Sequence, residues 1–242
     1  MDSRAPGTNT NSGSPVGRRV FLGFIGLGVV GVATGAAVQG WLERTVAPII
    51  GRDPTGLFSL LPIGRFRIYT VTGGLPERSR AEYRLRVGGL VDEPLDLSFA
   101  ELTSMPVTEV TRDFQCVTGW RVPDVQWVGV RLRDVLDRAG VQAEATAVRF
   151  VSFDGEYSES LTLDQARRDD VLVAYELEGE PLSSEHGGPA RLYVAPMYGY
   201  KSCKWLGAIE LTARVEPGYW EQRGYDVDAW VGRSNGRDDS AT

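Results

Sequence analysis

The segment between residues 83 and 215 consists of short β-rich runs that end at turn-forming residues, with only brief helical patterns between them. We interpret as strands the runs 83–87, 107–114, 148–153, 171–175, 192–195 and 209–215. Capping-box patterns at Ser98 and Thr162, and apolar residues at helical spacing over 132–139, predict short helices. Because strands and helices do not alternate regularly, the sequence predicts an α+β fold with a mixed, partly barrel-like β-sheet and short helices.

The first 40 residues differ from this pattern and resemble an export signal. Residues 1–17 are rich in Ser, Gly, Asn, Thr and Pro, a composition typical of disorder. Arg18 and Arg19 then precede an uncharged run over 20–38, an arrangement similar to a twin-arginine signal. The alternative is an ordinary signal-anchor helix whose arginines obey the positive-inside rule. Both interpretations predict an extracytoplasmic location, with residues 20–38 as a membrane anchor if they are not cleaved.

The rest of the chain is expected to form three further segments. Residues 41–64 are a proline-containing connector, 65–231 form the main domain, and the polar stretch 232–242 is a disordered tail. A chain of 242 residues with 42% hydrophobic residues can bury one substantial core with a small appendage.

Composition excludes several classes of function. The formal net charge of −6 argues against nucleic acid as a partner, because phosphate backbones require a basic face. Two cysteines and one histidine are too few for a disulfide framework or for a structural zinc site with four nitrogen or sulfur ligands. The sequence contains no Gly-rich dinucleotide-binding or phosphate-loop fingerprint.

The two lysines of the chain, Lys201 and Lys204, lie three residues apart and close in sequence to the single histidine, His186. Every other basic residue is arginine apart from that histidine. Compact ammonium groups beside the Ser202 hydroxyl suit a phosphate-bearing ligand. Solvated surface charge is the alternative, but the interleaved Gly, Tyr and Trp residues favour a ligand site.

Cys116 is the second candidate for chemistry, because it follows a predicted strand and precedes a sharp junction at Gly119. As a structural thiol it would be a small buried hydrophobic group. As a nucleophile it would need His186 as its base. As a soft ligand it would donate a thiolate to a metal held mainly by a cofactor. Spacing alone leaves these three roles open.

The order of several motifs resembles the molybdopterin-binding domain of the sulfite oxidase superfamily over residues 65–225. The matching motifs are Cys116-Val117-x-x-Trp120, Trp127-x-Gly129-Val130, His186-Gly187-x-Pro189-x-Arg191, Tyr198-Gly199-Tyr200-Lys201-Ser202-x-Lys204-Trp205 and Gly218-Tyr219-Trp220-Glu221. The Cys-Val-x-x-Trp form is most similar to the exported bacterial methionine sulfoxide reductase catalytic subunits. Sulfite oxidases themselves tend to have Cys-x-Gly-Asn at that place.

The resemblance implies a molybdenum–molybdopterin cofactor with Cys116 as its thiolate ligand. The residues that it implies as cofactor contacts are Tyr69, Cys116, Ser152, His186, Arg191, Ser202, Cys203 and Lys204. His186 and Arg191 would contact the pterin and its phosphate, while Ser202 and Lys204, with the Cys203 backbone, would complete the phosphate cradle.

Three further residues are candidates for the reaction itself. Arg112 and Arg121 flank Cys116 and could attract an oxyanion substrate, although ordinary ion pairing would also explain them. Tyr198 belongs to one of the matching motifs, where it is either a catalytic group or part of the core.

These observations predict an exported molybdenum oxidoreductase that performs two-electron oxygen-atom transfer. An S-oxide substrate, free or protein-bound, is favoured over sulfite oxidation. The sequence has no haem domain, so we expect an external electron-transfer partner, haem- or quinone-linked. The alternatives are a non-catalytic, membrane-tethered domain of the same fold and a metal-free thiol protein that uses Cys116 and Cys203.

Overall fold

A computed structural model describes residues 65–239. The predicted signal or anchor (1–40), the connector (41–64) and the last three residues of the tail lie outside the described residues. None of the helices within 65–239 is long and apolar enough to cross a membrane.

The described domain is rich in strands, and its helices are short. Its strands are β1 (Arg84–Gly89), β2 (Leu95–Ser98), β3 (Val107–Gln115), β4 (Arg121–Arg131), β5 (Ala147–Ser152), β6 (Ser158–Thr162), β7 (Val171–Leu177), β8 (Glu180–Pro181), β9 (Arg191–Val194) and β10 (Leu206–Thr212). Its helices are α1 (Phe99–Thr103), α2 (Leu132–Ala139) and α3 (Leu163–Ala166), with 3-10 turns at Gly199–Lys201 and Glu221–Arg223. The predicted α+β class is therefore confirmed.

The strands form two five-stranded sheets. The first has the order β2-β1-β10-β5-β6, in which β1 and β10 are parallel and the other pairs are antiparallel. The second has the order β3-β4-β7-β8, with β9 also paired to β7, and is wholly antiparallel. The mixed sheet is as predicted. Neither strand order closes on itself within residues 65–239, so the barrel-like part of the prediction is not confirmed.

Local sequence signals explain where the helices begin. Ser98 accepts a hydrogen bond from the Glu101 backbone, and the Glu101 carboxylate accepts one from the Ser98 backbone. The same reciprocal pair joins Thr162 and Gln165. Each box satisfies backbone donors that the first helical turn leaves unpaired, so both predicted helix starts are confirmed.

The interior contains two groups of buried apolar side chains. The larger group packs β1, β5, β10 and the helices together. The smaller group is aromatic: Phe114, Trp120 and Trp127 pack with Tyr193, and the Trp127 and Tyr193 rings stack with centroids 4.4 Å apart. Cys116 packs against this aromatic group, which therefore forms the rigid floor beneath the thiol.

Residues 232–239 form turns with defined contacts, in contrast to the disorder that we expect from their composition. The Tyr198 hydroxyl donates to Asp239 at 2.8 Å and accepts from the Gly232 N–H at 3.1 Å. The Asn235 amide donates to the Tyr200 hydroxyl at 3.0 Å. These polar groups find partners on distant parts of the chain, which composition alone does not reveal.

Candidate active site around Cys116

A cavity of about 330 Å³ opens in the described domain and gathers residues from distant parts of the sequence. Among the predicted site residues, those that line it are Tyr69, Cys116, His186, Arg191, Ser202 and Lys204. The extended segment 66–71 forms one wall, and the loop that follows β3 forms another. The structure thus brings the thiol and the predicted cationic groups to one site.

The β3–β4 hairpin positions Cys116. The last strand pair joins Gln115 to Arg121, so residues 116–120 form the hairpin loop. The Cys116 N–H donates to the Trp120 carbonyl at 2.9 Å, and the Gly119 N–H donates to the Cys116 carbonyl at 3.0 Å. Gly119 has φ +100°, a conformation that L side chains rarely adopt, so glycine is needed for the turn. The backbone therefore holds Cys116 at the loop entrance, where it lines the cavity.

Arg191 places a buried positive charge beside the cavity. Its guanidinium donates to the backbone carbonyls of His186 and Ser202, both at 2.8 Å, and of Leu192 at 3.3 Å. The guanidinium carbon also lies 5.3 Å from the centroid of the Trp127 ring. Burial lowers the pKa of Arg191 to about 10, so the group is still charged at neutral pH. Its partners in the described chain are neutral carbonyls and rings, so no carboxylate there cancels the charge.

Lys204 is the second cation of the site. Its ammonium group donates to the Glu185 carbonyl at 2.7 Å and to the Tyr69 carbonyl at 3.3 Å. Burial, together with the nearby charge of Arg191, lowers the pKa of Lys204 to about 7. Tyr69 itself is 55% exposed, and its ring lies at the mouth of the cavity near Trp120. Lys204 therefore links the segment 66–71 to the cationic side of the cavity.

His186 lines the cavity together with Arg191 and Lys204. Its ring packs edge-on against Phe66 with centroids 4.8 Å apart. Burial and the charges of Arg191 and Lys204 lower the pKa of His186. Burial is the main cause of the lowered pKa in all three groups; for His186 and Lys204 the charge of Arg191 adds to it, and Glu185 partly opposes it.

These residues fit a phosphate-bearing cofactor. A negative charge placed among His186, Arg191 and Lys204 would raise their pKa values and so oppose the effect of burial. The Trp120 indole N–H is a further available donor: the side chain is 3% exposed and lines the cavity, and its nitrogen has no partner among residues 65–239. A thiol, two cationic side chains, a histidine and a spare donor around one cavity match a cofactor with a soft metal and an anionic tail.

Lys201 does not share this site, so the interpretation of the two lysines as a ligand-binding pair is wrong for Lys201. Its side chain is 1% exposed and pairs with Glu159 at 2.6 Å and with Glu221. Burial raises the pKa of Glu159, and the neighbouring Glu221 adds to that effect. The 3-10 turn Gly199–Lys201 directs Lys201 into the core, whereas Lys204 lines the cavity.

Ser202 and Cys203 differ in their surroundings. Ser202 is buried at the cavity wall, where its hydroxyl accepts from the Val194 N–H at 3.0 Å. Cys203 is fully buried and does not line the cavity, and burial raises the pKa of its thiol. A thiol with a raised pKa is a poor nucleophile, which counts against the metal-free thiol alternative.

Ser152 does not line the cavity, but Asp154, to which it is hydrogen-bonded, does. The Ser152 hydroxyl donates to the Asp154 carboxylate and accepts from the Tyr157 N–H at 3.1 Å. Asp154 is therefore a site residue that sequence analysis missed. The Asp154-Gly155 turn directly after β5 was the available signal, because polar loop residues at strand ends commonly form sites.

Arg112, Arg121 and Tyr198 do not line the cavity. Arg121 pairs with Asp113 at 3.0 Å, and Arg112 donates to the Thr111 carbonyl at 2.9 Å. Tyr198 is fully buried beneath the C-terminal turns. Their roles in the reaction stay predictions.

Sequence analysis also missed the aromatic residues of the cavity wall. These are Phe66, Phe114, Trp120, Tyr157, Tyr200, Trp205, Trp220 and Tyr225. Several belong to the recognised motifs, but aromatic residues in a motif look the same whether they fill a core or face a ligand.

Comparison with known proteins identifies the domain. The family described as "Oxidoreductase molybdopterin binding domain" matches residues 72–220. The uncharacterised oxidoreductase YuiH of Bacillus subtilis is 40% identical over 162 residues, which are 66% of this chain and 81% of the relative. A relative from Azospira oryzae, provisionally named protein-methionine-sulfoxide reductase subunit YedZ1, is 31% identical over 204 residues, 81% of this chain and 72% of the relative.

Two longer proteins are also similar. Sulfite oxidase of Arabidopsis thaliana is 33% identical over 179 residues, 60% of this chain but only 46% of the plant protein. The crystal structure of sulfane dehydrogenase SoxCD from Paracoccus pantotrophus superposes with a TM-score of 0.55 and 29% identity, over 59% of this chain and 41% of that chain. The chain thus spans less than half of each of these two proteins.

Proposed function

This chain belongs to the family of oxidoreductase molybdopterin-binding domains, and from that premise we propose that it catalyses two-electron oxygen-atom transfer on an S-oxide substrate. Family membership makes it an oxidoreductase with a molybdenum–molybdopterin cofactor. The observation that supports the proposal most is that Cys116 lines the same cavity as Arg191 and Lys204, neither of which forms an ion pair within residues 65–239. A soft ligand and an anion site are thereby held in one pocket.

The chain's own residues divide the task of holding the cofactor. Cys116 would supply the thiolate ligand to molybdenum, and His186, Arg191 and Lys204 would hold the phosphate. Asp154, supported by Ser152, would accept hydrogen bonds from N–H groups of the pterin. When bound, the cofactor supplies the two-electron oxygen-transfer chemistry, and the protein supplies binding, orientation and electrostatics.

The surroundings of Cys116 suit the apolar part of an S-oxide substrate. Phe66, Val117 and Trp120 give the cavity apolar walls beside the thiol. The two arginines expected to attract an oxyanion, Arg112 and Arg121, do not line the cavity, and the charge of Arg121 is paired with Asp113. The name of the Azospira oryzae relative also supports an S-oxide substrate.

Steady-state assays of protein purified from a molybdenum-replete host test the proposal. An S-oxide should accept two electrons from a reduced dye and two protons, and yield the sulfide and water. We expect this S-oxide-dependent dye oxidation and no sulfite-dependent reduction of ferricyanide. The converse pair of results would assign sulfite oxidation instead. Full molybdenum content without either activity, tested with free and peptide-bound methionine sulfoxide, would favour the non-catalytic binding domain.

We propose in addition that the protein is exported by the twin-arginine route and receives electrons from a haem- or quinone-linked partner. Arg18 and Arg19 before the uncharged run 20–38 support this route, which transports proteins that have already folded around a cofactor. Replacing both arginines by lysine keeps the positive charge, yet we expect it to abolish export, as measured by cell fractionation. Normal export of the double variant would instead indicate an ordinary signal-anchor.

A further inference from the structure

Thr118 forms a side-chain hydrogen bond to the sulfur of Cys116. Its hydroxyl donates to Cys116 Sγ at 3.2 Å, a distance typical of O–H···S contacts. Both residues belong to the five-residue loop of the β3–β4 hairpin, and both line the cavity. The loop itself is held by backbone hydrogen bonds of Cys116 with Trp120 and Gly119. The donor and the sulfur are therefore presented together by a constrained turn.

The Thr118 hydroxyl has no evident role in holding the fold. The side chain is exposed, and within residues 65–239 its hydrogen bond goes to Cys116 Sγ alone. The loop geometry depends instead on backbone groups and on Gly119. Removal of the hydroxyl should thus change the surroundings of the sulfur and leave the loop intact.

A hydrogen bond to a ligand sulfur changes the metal that the sulfur binds. The donor withdraws electron density from the thiolate, so the thiolate donates less to the metal and the reduced, more electron-rich metal is stabilised. The same contact restrains rotation of the Cys116 side chain, because it stabilises the rotamer in which Sγ meets the hydroxyl.

We propose that Thr118 is a positioning residue that orients Cys116 Sγ and raises the reduction potential of the metal bound to it. This inference rests on Cys116 as the molybdenum ligand and does not depend on which substrate is used. Thr118 occupies one of the two unspecified positions of the Cys-Val-x-x-Trp motif.

The test compares Thr118→Val, which is nearly isosteric but has no hydroxyl, with Thr118→Ser, which keeps the hydroxyl. Thr70→Val is the matched control, because Thr70 lines the same cavity and makes no described contact with Cys116. Four quantities are measured for each purified holoprotein: molybdenum content, melting temperature, the sulfur-to-metal absorption band, and the midpoint potential of the metal followed through its Mo(V) signal.

We expect Thr118→Val to keep its molybdenum and its melting temperature but to have a lower midpoint potential. A tenfold change in the ratio of oxidised to reduced metal corresponds to a shift of about 59 mV for a one-electron step, and we expect a shift of that order. The absorption band should move as well. Thr118→Ser should restore the wild-type potential, and Thr70→Val should not alter it.

Three outcomes would overturn the inference. An unchanged potential in Thr118→Val would show that the hydroxyl does not act on the sulfur. A potential lowered equally in Thr118→Ser would assign the effect to side-chain packing. Loss of molybdenum in Thr118→Val with full loading of Thr118→Ser would make the hydroxyl a requirement for metal binding, not for tuning. Because the titration uses no substrate, these results stand apart from those of the S-oxide assays.

Discussion

Replacement of Cys116 by alanine should lower S-oxide reduction by on the order of a thousandfold, which corresponds to about 4 kcal/mol of transition-state stabilisation. Within the described chain, Cys116 is the thiol that lines the cavity, so alanine removes the soft protein ligand. Pterin content should stay near the wild-type value, because the phosphate contacts proposed for His186, Arg191 and Lys204 do not involve the thiol. Activity per bound pterin and the loss of the sulfur-to-metal absorption band are the measurements.

Cys203→Ala is the matched control for that variant. Cys203 is buried behind the cavity wall, so its loss should lower stability slightly and leave activity per bound pterin unchanged. Full activity in Cys116→Ala would show that the thiol does not serve the reaction. An equal loss in both variants would support the metal-free thiol mechanism instead.

Lys201→Met should destabilise the fold, whereas Lys204→Met should mainly weaken cofactor binding. Lys201→Met should therefore cause the larger loss of stability. Without the Lys201 ammonium, Glu159 and Glu221 would be left as buried acids with no cation. Breaking a buried ion pair in this way costs about 3–5 kcal/mol, which lowers the melting temperature by on the order of 10 °C. Apo and holo protein should lose similar amounts.

That loss should become smaller at acidic pH. In Lys201→Met, the pKa of Glu159 in the folded state should lie above its unfolded value, because the carboxyl is buried and has lost its cation. The folded state then binds more protons, so stability decreases as pH rises through the folded pKa of Glu159 and is recovered below it. Melting curves of the variant at pH 5 and pH 8 measure the difference.

Lys204→Met should weaken cofactor binding while sparing the apoprotein. Loss of a charge-assisted hydrogen bond to phosphate costs about 1.5–3 kcal/mol, or roughly a tenfold to hundredfold loss of affinity.

The pKa of Lys204 in the folded apoprotein is about 7. Between pH 7 and the ordinary lysine value of about 10.4, the unfolded state binds more protons, so wild-type apoprotein loses stability as pH falls through this window. Lys204→Met should remove that dependence.

Calorimetric melting of apo and holo forms separates the two roles. Equal destabilisation of both forms by Lys204→Met would make Lys204 structural and place the phosphate elsewhere. Conversely, a Lys201→Met apoprotein of normal stability with impaired cofactor binding would restore the two-lysine phosphate site that the sequence predicts.

Features that depend on neighbouring residues were predictable from sequence. The Ser98 and Thr162 capping boxes are satisfied within a few residues, so their spacing alone predicts a helix start. Cys116 at the end of a β-rich run was likewise predictable as a presented thiol, because the strand and its turn are local signals. The family motifs added the chemistry that spacing left open.

Features that depend on distant partners were not predictable in the same way. Asp154 was missed because a turn carboxylate faces solvent or a ligand with equal ease, and only the surrounding walls decide which. The polar tail over 232–239 is held by the hydroxyl groups of Tyr198 and Tyr200, which lie more than 30 residues away in sequence.

By itself, the sequence determined the α+β class, the thiol at the end of β3 and the family's cofactor. Strand periodicity, turn residues and motif order are local properties of the sequence, so no tertiary contact is needed to recognise them. The tertiary structure alone decided which lysine lines the cavity. Lys201 and Lys204 have the same charge and nearly the same position in sequence. Glu159 and Glu221 enclose Lys201, whereas Lys204 meets the cavity beside Arg191. Burial of an ammonium group depends on the carboxylates that folding brings to it, and these lie far along the chain.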